Sequence, residues 1–260
     1  MRYNSAPARR DAILRRLSAT GYASPAELGA ALSVSERTVR RDLQTLAESG
    51  RVDLVYGGAV PKPGARPGLS FRARSQIWPE RKRAIATKAI SMIAPGDTIG
   101  IDAGTTTIEF AHLLPAGLDV TAVTASLPVM TSLRDRDDVA LVGLGGMYDA
   151  MTQSFTGPDT VVAMSRLRLS CFFLAASSLG NDGAYCNGSL DAEVKRTFIG
   201  IADRVVLLAD SSKFEESAPV HICPYDRIDT LVTDALPAPT RSWFADSGTG
   251  VHEESVQALD

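Results

Sequence analysis

The sequence predicts an α/β protein in two parts: a small helical N-terminal domain with a β-hairpin, then a larger domain built on a parallel sheet. Three observations predict this division. Helix start and stop signals recur at short intervals in the first 60 residues. From residue 98, apolar strand-like runs alternate with helical stretches. The charge changes sign as well, because residues 1–83 hold 16 basic and 7 acidic side chains, whereas the remainder holds 11 and 23.

The composition is that of a soluble globular protein, with 260 residues, 45% of them hydrophobic and 22% charged. No run reaches the roughly 18 apolar residues of a membrane span, and the N-terminus lacks the apolar core of a secretory signal. Three cysteines without metal-type spacing and three scattered histidines favour a reduced, cytoplasmic setting, with no metal and no cofactor expected. The basic N-terminal part is expected to meet a polyanion.

Three helices are expected in the N-terminal part. Apolar spacing predicts the first over residues 9–19. Ser24 begins the second, because Glu27 follows at the capping-box distance. Ser35 can cap a third helix over residues 36–48. Two short helices joined by a tight turn have the geometry of a helix-turn-helix.

The third helix has two distinct faces. Val39, Leu43 and Leu46 form a buried stripe at helical spacing. An opposite face of arginine and glutamine suits base edges, while hydroxyls near the helix N-terminus suit phosphates. The alternative is a solvated face on an ordinary helical hairpin. The expected DNA-binding residues are Ser35, Arg37, Thr38, Arg40, Arg41 and Gln44, with Tyr56 and Gly57 in the segment that follows.

A β-wing and a linker follow the third helix. Residues 51–60 alternate in character and contain Gly57-Gly58, which allows a tight turn. The DNA-binding domain is therefore expected over residues 1–60 as a winged helix-turn-helix. Prolines and glycines interrupt residues 61–79, which predicts a linker.

At this point the sequence resembles a known family. SERTVRRDLQTLAESGRVDLVYGGAV (35–60) is similar to the winged helix of DeoR-type bacterial transcriptional regulators, the deoxyribose-operon repressor family. The resemblance covers most of residues 8–60, and its most specific parts are TVRRDL (38–43) and GGA (57–59). It implies double-stranded operator DNA as a partner. Many members carry histidine where this chain has Tyr56, so the wing departs from the pattern.

An α/β domain is expected over residues 80–236. A helix opens it, and an alternation of strands with helices then predicts a parallel sheet, which binds ligands beyond the carboxyl ends of its strands. The predicted strands are 98–102, 120–124, 139–144, 171–176, 204–210 and 230–234, and the intervening helices lie around 106–114, 127–134, 158–167 and 189–202.

Hydroxyls, glycines and a lysine gather at those strand ends. Glycines let backbone amides approach an anion, and a helix starting at Thr105–Thr107 directs its N-terminus toward it. Each piece alone is also an ordinary helix cap or turn, and Lys195 lies inside a predicted helix. The candidate effector-binding residues are Asp102, Gly104, Thr105, Thr106, Thr107, Thr124, Ser126, Gly145, Gly146, Lys195, Asp210, Ser212 and Lys213.

The family resemblance extends through this domain to about residue 236. GDTIGIDAGTTT (96–107), VTASL (123–127) and LADSSKF (208–214) resemble segments of DeoR-type sensor domains, whose fold is similar to ribose-5-phosphate isomerase and CoA transferases. It implies a phosphorylated sugar effector, with the phosphate on Gly104–Thr107 and Lys213 near the ligand. Ala103 and Ala125 stand where serine and asparagine are usual in this family, so this chain lacks that hydroxyl and that side-chain amide.

The expected function is a repressor of a sugar or polyol operon that binds its operator as a dimer or tetramer. The effector would act through residues 61–79 and the helix after them. One alternative is a sugar-phosphate isomerase or CoA-transferase-like enzyme with a DNA-binding head, although Asp102, Glu109 and Asp182 form no recognisable acid/base pair. Another is a DNA-binding protein with a vestigial pocket. Residues 237–260 are expected to form a polar, mobile or loosely docked tail.

Overall fold

The computed structural model describes residues 6–61 and 71–254, and the chain divides into two compact units between Pro79 and Glu80. The N-terminal unit holds four helices and a two-stranded hairpin in its described residues. They are α1 (Ala6–Thr20), α2 (Pro25–Leu32), α3 (Glu36–Glu48), β1 (Val52–Val55), β2 (Gly58–Pro61) and α4 (Phe71–Ser75). The last of these lies within residues 61–79, so the prediction of a linker without regular structure is wrong at that point.

Local hydrogen bonds define the helix-turn-helix. The Ser24 hydroxyl accepts from the Glu27 amide at 3.2 Å, and the Glu27 carboxylate accepts from the Ser24 amide at 3.0 Å, so the predicted capping box is confirmed. Ser33 ends α2 in the left-handed conformation. Ser35 then accepts from the Thr38 amide at 3.3 Å and begins α3. These caps place α2 and α3 against one hydrophobic core.

Two glycines allow the β1–β2 wing to fold back onto the helices. The strands pair antiparallel around the two-residue turn Tyr56-Gly57, and Gly57 has a φ of 77°, which favours glycine. A Cβ on Gly58 would lie 2.5 Å from the carbonyl oxygen of Ala23. The wing therefore packs closely on the segment between α1 and α2, where Ala59 pairs with Ala23.

The C-terminal unit is built on a seven-stranded, wholly parallel sheet in the order β14-β13-β11-β8-β3-β4-β5. Its helices are α5 (Pro79–Ile90), α6 (Thr105–Leu113), α7 (Leu127–Leu133), α8 (Pro158–Met164) and α9 (Ser189–Ile201). Its strands are β3 (Thr98–Ile101), β4 (Val120–Thr124), β5 (Val139–Gly143), β6 (Met147–Asp149), β7 (Ser154–Thr156), β8 (Cys171–Ala175), β9 (Ser178–Gly180), β10 (Gly183–Cys186), β11 (Val205–Leu208), β12 (Val220–Cys223), β13 (Thr230–Thr233) and β14 (Gly250–Glu253).

The strand order reverses at β3. From β3 the chain adds β4 and β5 on one side, then returns to add β8, β11, β13 and β14 on the other. The reversal leaves a crevice beyond the carboxyl ends of β3 and β8, which is where ligands bind in open parallel sheets. The six strands predicted from the sequence are confirmed as members of this sheet.

Helices cover both faces of the sheet, as the continuous apolar strands require. All five residues of β8 are buried. Phe172 stacks on Phe198 of α9 with ring centroids 4.7 Å apart, and Phe173 packs on Phe110 of α6 at 4.1 Å. The central strand is thereby packed between α6 and α9. Among the described helices, none is long and apolar enough to cross a membrane.

Two parts of this unit differ from the prediction. The two-stranded antiparallel sheet β6–β7 and the three-stranded antiparallel sheet β9–β10–β12 lacked a clear apolar pattern and were not expected. Residues 250–253 form β14, the seventh parallel strand, and Phe244 is buried at 4.4 Å from the Tyr225 ring. The prediction of a loosely docked tail is therefore wrong up to residue 254, because pairing with β13 and one aromatic anchor order this segment. Residues 255–260 lie outside the described residues.

Candidate functional sites

Helix α3 presents the face that the sequence predicts. Val39, Leu43 and Leu46 are at most 2% exposed. The side chains of Arg37, Arg40, Arg41 and Gln44 are exposed. The division of the helix into a buried and a polar face is thus confirmed, and the assignment of the polar face to DNA bases stays a prediction.

Among residues 6–61 and 71–254, the partners of the polar groups on this face are exposed and weakly bound. Arg40 lies 3.6 Å from Glu36, and the Gln44 amide donates to Glu48 at 3.2 Å. Such exposed pairs are worth ~0–1 kcal/mol, so a nucleic acid can replace them at little cost. Ser35 and Thr38 share a hydroxyl–hydroxyl hydrogen bond of 2.9 Å at the helix N-terminus. In the wing, Tyr56 is 71% exposed beside Gly57.

In the C-terminal unit, Asp102 connects the ends of β3 and β8, where the strand order reverses. It follows β3, and its Oδ1 accepts from the Ala103 amide at 2.7 Å. Its Oδ2 accepts from the Ala175 amide at the end of β8 at 2.8 Å, and lies 2.5 Å from Nζ of Lys195. Asp102 is 3% exposed, so its carboxylate is engaged within the protein and holds the two strand ends together.

Lys195 reaches this carboxylate from α9. Its Nζ also lies 3.5 Å from Asp191, one turn earlier on the same helix. Burial alone would lower the pKa of Lys195, but the charges of Asp102 and Asp191 outweigh it and raise the pKa above its ordinary value. Lys195 therefore stays charged beneath the loop, with two carboxylates against it. Its direct contact with an effector stays a prediction.

The loop from Asp102 to α6 leaves a helix N-terminus without a side-chain cap. Gly104 is the N-cap of α6, and a Cβ there would lie 2.5 Å from Cβ of Ala175, so only glycine fits. The hydroxyl of Thr107 is buried and donates to the Asp102 carbonyl at 2.7 Å, which fixes the loop. The first turn of a helix offers unpaired amides and a positive dipole end, which suit an anion.

Some of the candidate effector residues after β4 and β5 make contacts that stabilise the fold itself. Thr124 donates to the Ile101 carbonyl at 2.6 Å and accepts from the Ser126 amide at 3.0 Å, and both residues are fully buried. At Gly146, φ is 143° and a Cβ would lie 2.1 Å from the Thr160 hydroxyl. A Cβ on Gly145, by contrast, would meet nothing within 4 Å, so open space adjoins that backbone.

Beyond β11, Asp210 organises the turn that carries Ser212 and Lys213. Its Oδ1 accepts from the Ser212 hydroxyl at 2.5 Å and from the Ser212 amide at 3.1 Å. Burial alone would raise the pKa of Asp210, but the charge of Lys213, the Ser212 hydrogen bonds and the charge of Lys82 lower it. The side chain of Lys213 is 16% exposed, and its Nζ lies 3.2 Å from the more exposed carboxylate of Glu216. Its charge also favours the carboxylate of Asp210.

Helix α5 contributes two residues that the sequence did not single out. Arg81 donates to the Ser211 hydroxyl at 2.9 Å and lies 3.4 Å from the Asp234 carboxylate. Asp234 in turn accepts from the Ser211 amide at 2.6 Å. Lys82 is 3% exposed and adds positive charge beside Asp210. Charged residues on an amphipathic helix ordinarily face solvent, so the sequence holds no signal for these contacts.

The predicted effector residues thus lie beyond the carboxyl ends of the parallel strands, and Lys195 reaches Asp102 there from α9. Among residues 6–61 and 71–254, no cluster of histidine, cysteine, aspartate and glutamate is arranged to hold a metal ion. The groups that remain for a ligand are backbone amides at α6, the open space at Gly145 and the ammonium of Lys213. Unpaired helix amides and an ammonium are groups that commonly bind small anions.

Comparison with known proteins gives two family matches. Residues 9–62 match the DeoR-like helix-turn-helix domain, and residues 78–235 match the DeoR C-terminal sensor domain. The chain is 32% identical to the L-fucose operon activator of Haemophilus influenzae, over 87% of this chain and 91% of that protein. It is 31% identical to the glycerol-3-phosphate regulon repressor of Escherichia coli K12, over 88% of this chain and 91% of that protein. A putative aga operon transcriptional repressor of Escherichia coli O157:H7 is 30% identical, over 94% and 92%.

Among solved structures, the chain is similar to ribose 5-phosphate isomerase A of Methanocaldococcus jannaschii. The TM-score is 0.37 at 17% identity, over 51% of this chain and 53% of that chain. It is also similar to translation initiation factor eIF-2B of Pyrococcus horikoshii. The TM-score is 0.42 at 13% identity, over 87% of this chain and 86% of that chain.

Proposed function

The chain belongs to the DeoR family of DNA-binding transcriptional regulators, and from this premise we propose that it represses an operon of sugar or polyol metabolism. We propose further that its effector is a phosphorylated sugar or polyol. The observation that carries the proposal is the uncapped N-terminus of α6, held open by Gly104 at the reversal point of the sheet. Relatives named for fucose and glycerol-3-phosphate regulation support the same class of operon.

In this proposal the phosphate binds the first-turn amides of α6, and Lys213 supplies a second, positive contact. The buried Asp102–Lys195 pair holds the loop and does not bind the phosphate itself. Ala103 and Ala125, both nearly buried, line the loops where related domains carry polar side chains. The sugar of this effector therefore has fewer side-chain hydrogen bonds there, which favours a different hydroxyl pattern from that of the relatives.

Helix α5 is the proposed route from effector to DNA. It begins at Pro79, where the segment that joins the two units in sequence ends. Arg81 contacts Ser211 and Asp234, and the charge of Lys82 favours the carboxylate of Asp210. An effector that engages Lys213 changes the charge balance of the same turn. To shift DNA affinity, it must bind one arrangement of the protein better than another, typically by about 1–3 kcal/mol.

We also propose that the protein acts in the cytoplasm as a homo-oligomer, a dimer or tetramer, on double-stranded operator DNA. Helix-turn-helix proteins read two half-sites about one helical turn apart, so one copy of α3 meets only half of such a site. Size measurement in solution tests this proposal directly. A monomer at the concentration that saturates an operator would contradict it.

The enzyme alternative is less well supported by the geometry. Asp102 is paired with Lys195, and Asp182 accepts a 2.7 Å hydrogen bond from the Tyr185 hydroxyl, so each carboxylate has a partner of its own and the two are not paired as an acid and a base. The relatives above are also named as regulators. Turnover of pentose or hexose phosphates by the purified protein, lost in Asp102→Asn, would restore this alternative.

Thermal unfolding against a panel of sugar and polyol phosphates tests the effector proposal, with the same sugars lacking phosphate as controls. An effector at about 100 times its dissociation constant should stabilise the folded protein by about 2.7 kcal/mol. Lys213→Gln should weaken that response, and Lys88→Gln, which removes a lysine of α5 paired with Glu254, should not. A flat response to the whole panel would instead favour the vestigial pocket.

A further inference from the structure

A groove between α1 and α3 holds an unusual concentration of arginine. It encloses about 550 Å³, and four arginines and one carboxylate line it. We propose that this groove binds one phosphate of the DNA backbone, beside the face of α3 that meets the bases. The lining residues are Ala6, Arg9 and Arg10 from α1, and Arg37, Thr38, Arg41, Asp42 and Thr45 from α3.

One ion pair sets the width of the groove. Nε of Arg9 lies 2.5 Å from Oδ2 of Asp42, and both side chains are largely buried. Asp42 is the carboxylate among the described lining residues, and Arg9 satisfies it. The pair joins the first turn of α1 to the middle of α3. It therefore builds the groove without adding net charge to it.

Three arginines then remain to act on a ligand. Arg37 and Arg41 are exposed and lie one turn apart on α3. Arg10 lines the groove from α1, and its Nε donates to the Ala6 carbonyl at 3.3 Å. In the described part of the chain, none of the three forms an ion pair. Guanidinium groups converging on a concave site bind phosphate oxygens through paired N–H donors.

The position of the groove selects a backbone phosphate over other anions. Arg37 and Arg41 belong both to the groove wall and to the polar face that carries Gln44. When the recognition helix of a helix-turn-helix enters the major groove, the first helix crosses the sugar-phosphate backbone. A phosphate held between α1 and α3 would fix the register of α3 on the bases, whatever their sequence.

The salt dependence of binding to a short DNA duplex of mixed sequence tests the proposal without knowledge of the operator. Fluorescence anisotropy gives the affinity at several salt concentrations for the full chain and for Arg10→Gln. We expect Arg10→Gln to bind about five- to tenfold more weakly at low salt and to lower the slope of log affinity against log salt by about 1. The loss should be the same for every sequence.

Matched variants separate a phosphate contact from a general charge effect. Arg16→Gln removes an exposed arginine of α1 that does not line the groove, and should leave the slope unchanged. Arg10→Lys keeps the charge and should restore most of the slope, which keeps the test valid if Arg10→Gln loses stability. An unchanged slope in Arg10→Gln, or an equal loss in Arg16→Gln, overturns the proposal.

A free anion is the competing occupant, and inorganic phosphate at constant ionic strength distinguishes it. If the groove is a DNA contact, inorganic phosphate should compete with the duplex weakly, and competition should disappear in Arg10→Gln. Saturable phosphate binding that depends on Arg10 and persists while DNA is bound would overturn the proposal, because the groove would then serve a separate ligand. Neither result bears on the sugar-phosphate effector, whose response is measured without DNA.

Discussion

The two units arrange their charged groups in opposite ways. In the N-terminal unit the cationic side chains of α3 are exposed and have weak partners or none among the described residues. In the C-terminal unit Lys195 is buried and matched by Asp102 and Asp191, and the N-terminus of α6 has no side-chain cap. A polymer is held by many exchangeable charges, whereas a small anion is held by a few fixed dipoles.

This difference predicts where each unit is fragile. Exposed arginines can be removed with little effect on folding, because solvent already screens them. Removal of one member of a buried pair leaves the other charge without compensation in the interior. Substitutions of the exposed side chains of α3 should therefore change DNA affinity without loss of stability, and substitutions of the buried pair in the second unit should change stability and effector response together.

The largest expected effect comes from Lys195→Met. It leaves the carboxylates of Asp102 and Asp191 buried without their cation, which should destabilise the C-terminal unit by about 3–5 kcal/mol. Denaturant unfolding followed by tryptophan fluorescence measures it, since Trp243 lies in this unit. Adding Asp102→Asn to Lys195→Met should recover part of the loss. If Lys195→Met alone unfolds like the wild type, the pair does not hold the crevice as argued.

A smaller effect is expected from Gly104→Ala. The new Cβ would lie 2.5 Å from Cβ of Ala175, so the loop must move away from β8 at a cost of about 1–3 kcal/mol. The thermal response to the active sugar phosphate should fall as well, because the amides of α6 move with the loop. Gly200→Ala is the matched control, since it lies near the end of α9 and its Cβ meets nothing within 4 Å. Equal losses in both variants would show that the contact with Ala175 is not the cause.

In the N-terminal unit, Gln44→Ala should weaken binding to an operator selected in vitro by about 1–3 kcal/mol, if its amide reads an adenine. The loss should be confined to one base pair of each half-site, and the salt slope should not change. Unfolding of the protein should also be unaffected, because Gln44 is exposed and its amide donates to Glu48 at the surface. A uniform loss across all sequences would instead assign Gln44 to the backbone.

The same contrast explains how far the sequence predicts the structure. Ser24 and Ser35 begin helices through bonds to residues three positions away, so the local sequence was sufficient to place α2 and α3. The six parallel strands followed from their apolar runs. The edge strand β14 was missed, because GVHE has little apolar character and becomes a strand by pairing with β13.

The chemistry of the crevice was predicted less completely than its location. Sequence indicated the strand ends and the loop 102–107, because glycine and hydroxyl residues cluster there. The sequence could not show that Asp102 pairs with Lys195, which lies 93 positions away. Nor could it show that Arg81 contacts the loop after β11 or that Lys82 is buried. Such contacts depend on tertiary packing alone. The narrow fit of Gly104 against Ala175 is of the same kind.

The smallest predicted effect concerns pH and the C-terminal unit. The folded-state pKa of Asp210 lies below its ordinary value, because Lys213, Ser212 and Lys82 favour the carboxylate against the cost of burial. Its contribution to stability is therefore fully present above the unfolded-state pKa of about 3.9, and is lost as the pH falls through the lower folded-state pKa. Asp210→Asn should lower the stability at neutral pH and flatten its decline in acid. If the stability of Asp210→Asn falls in acid as steeply as that of the wild type, other carboxylates cause the loss. The charge of Asp210 would then not stabilise the turn after β11.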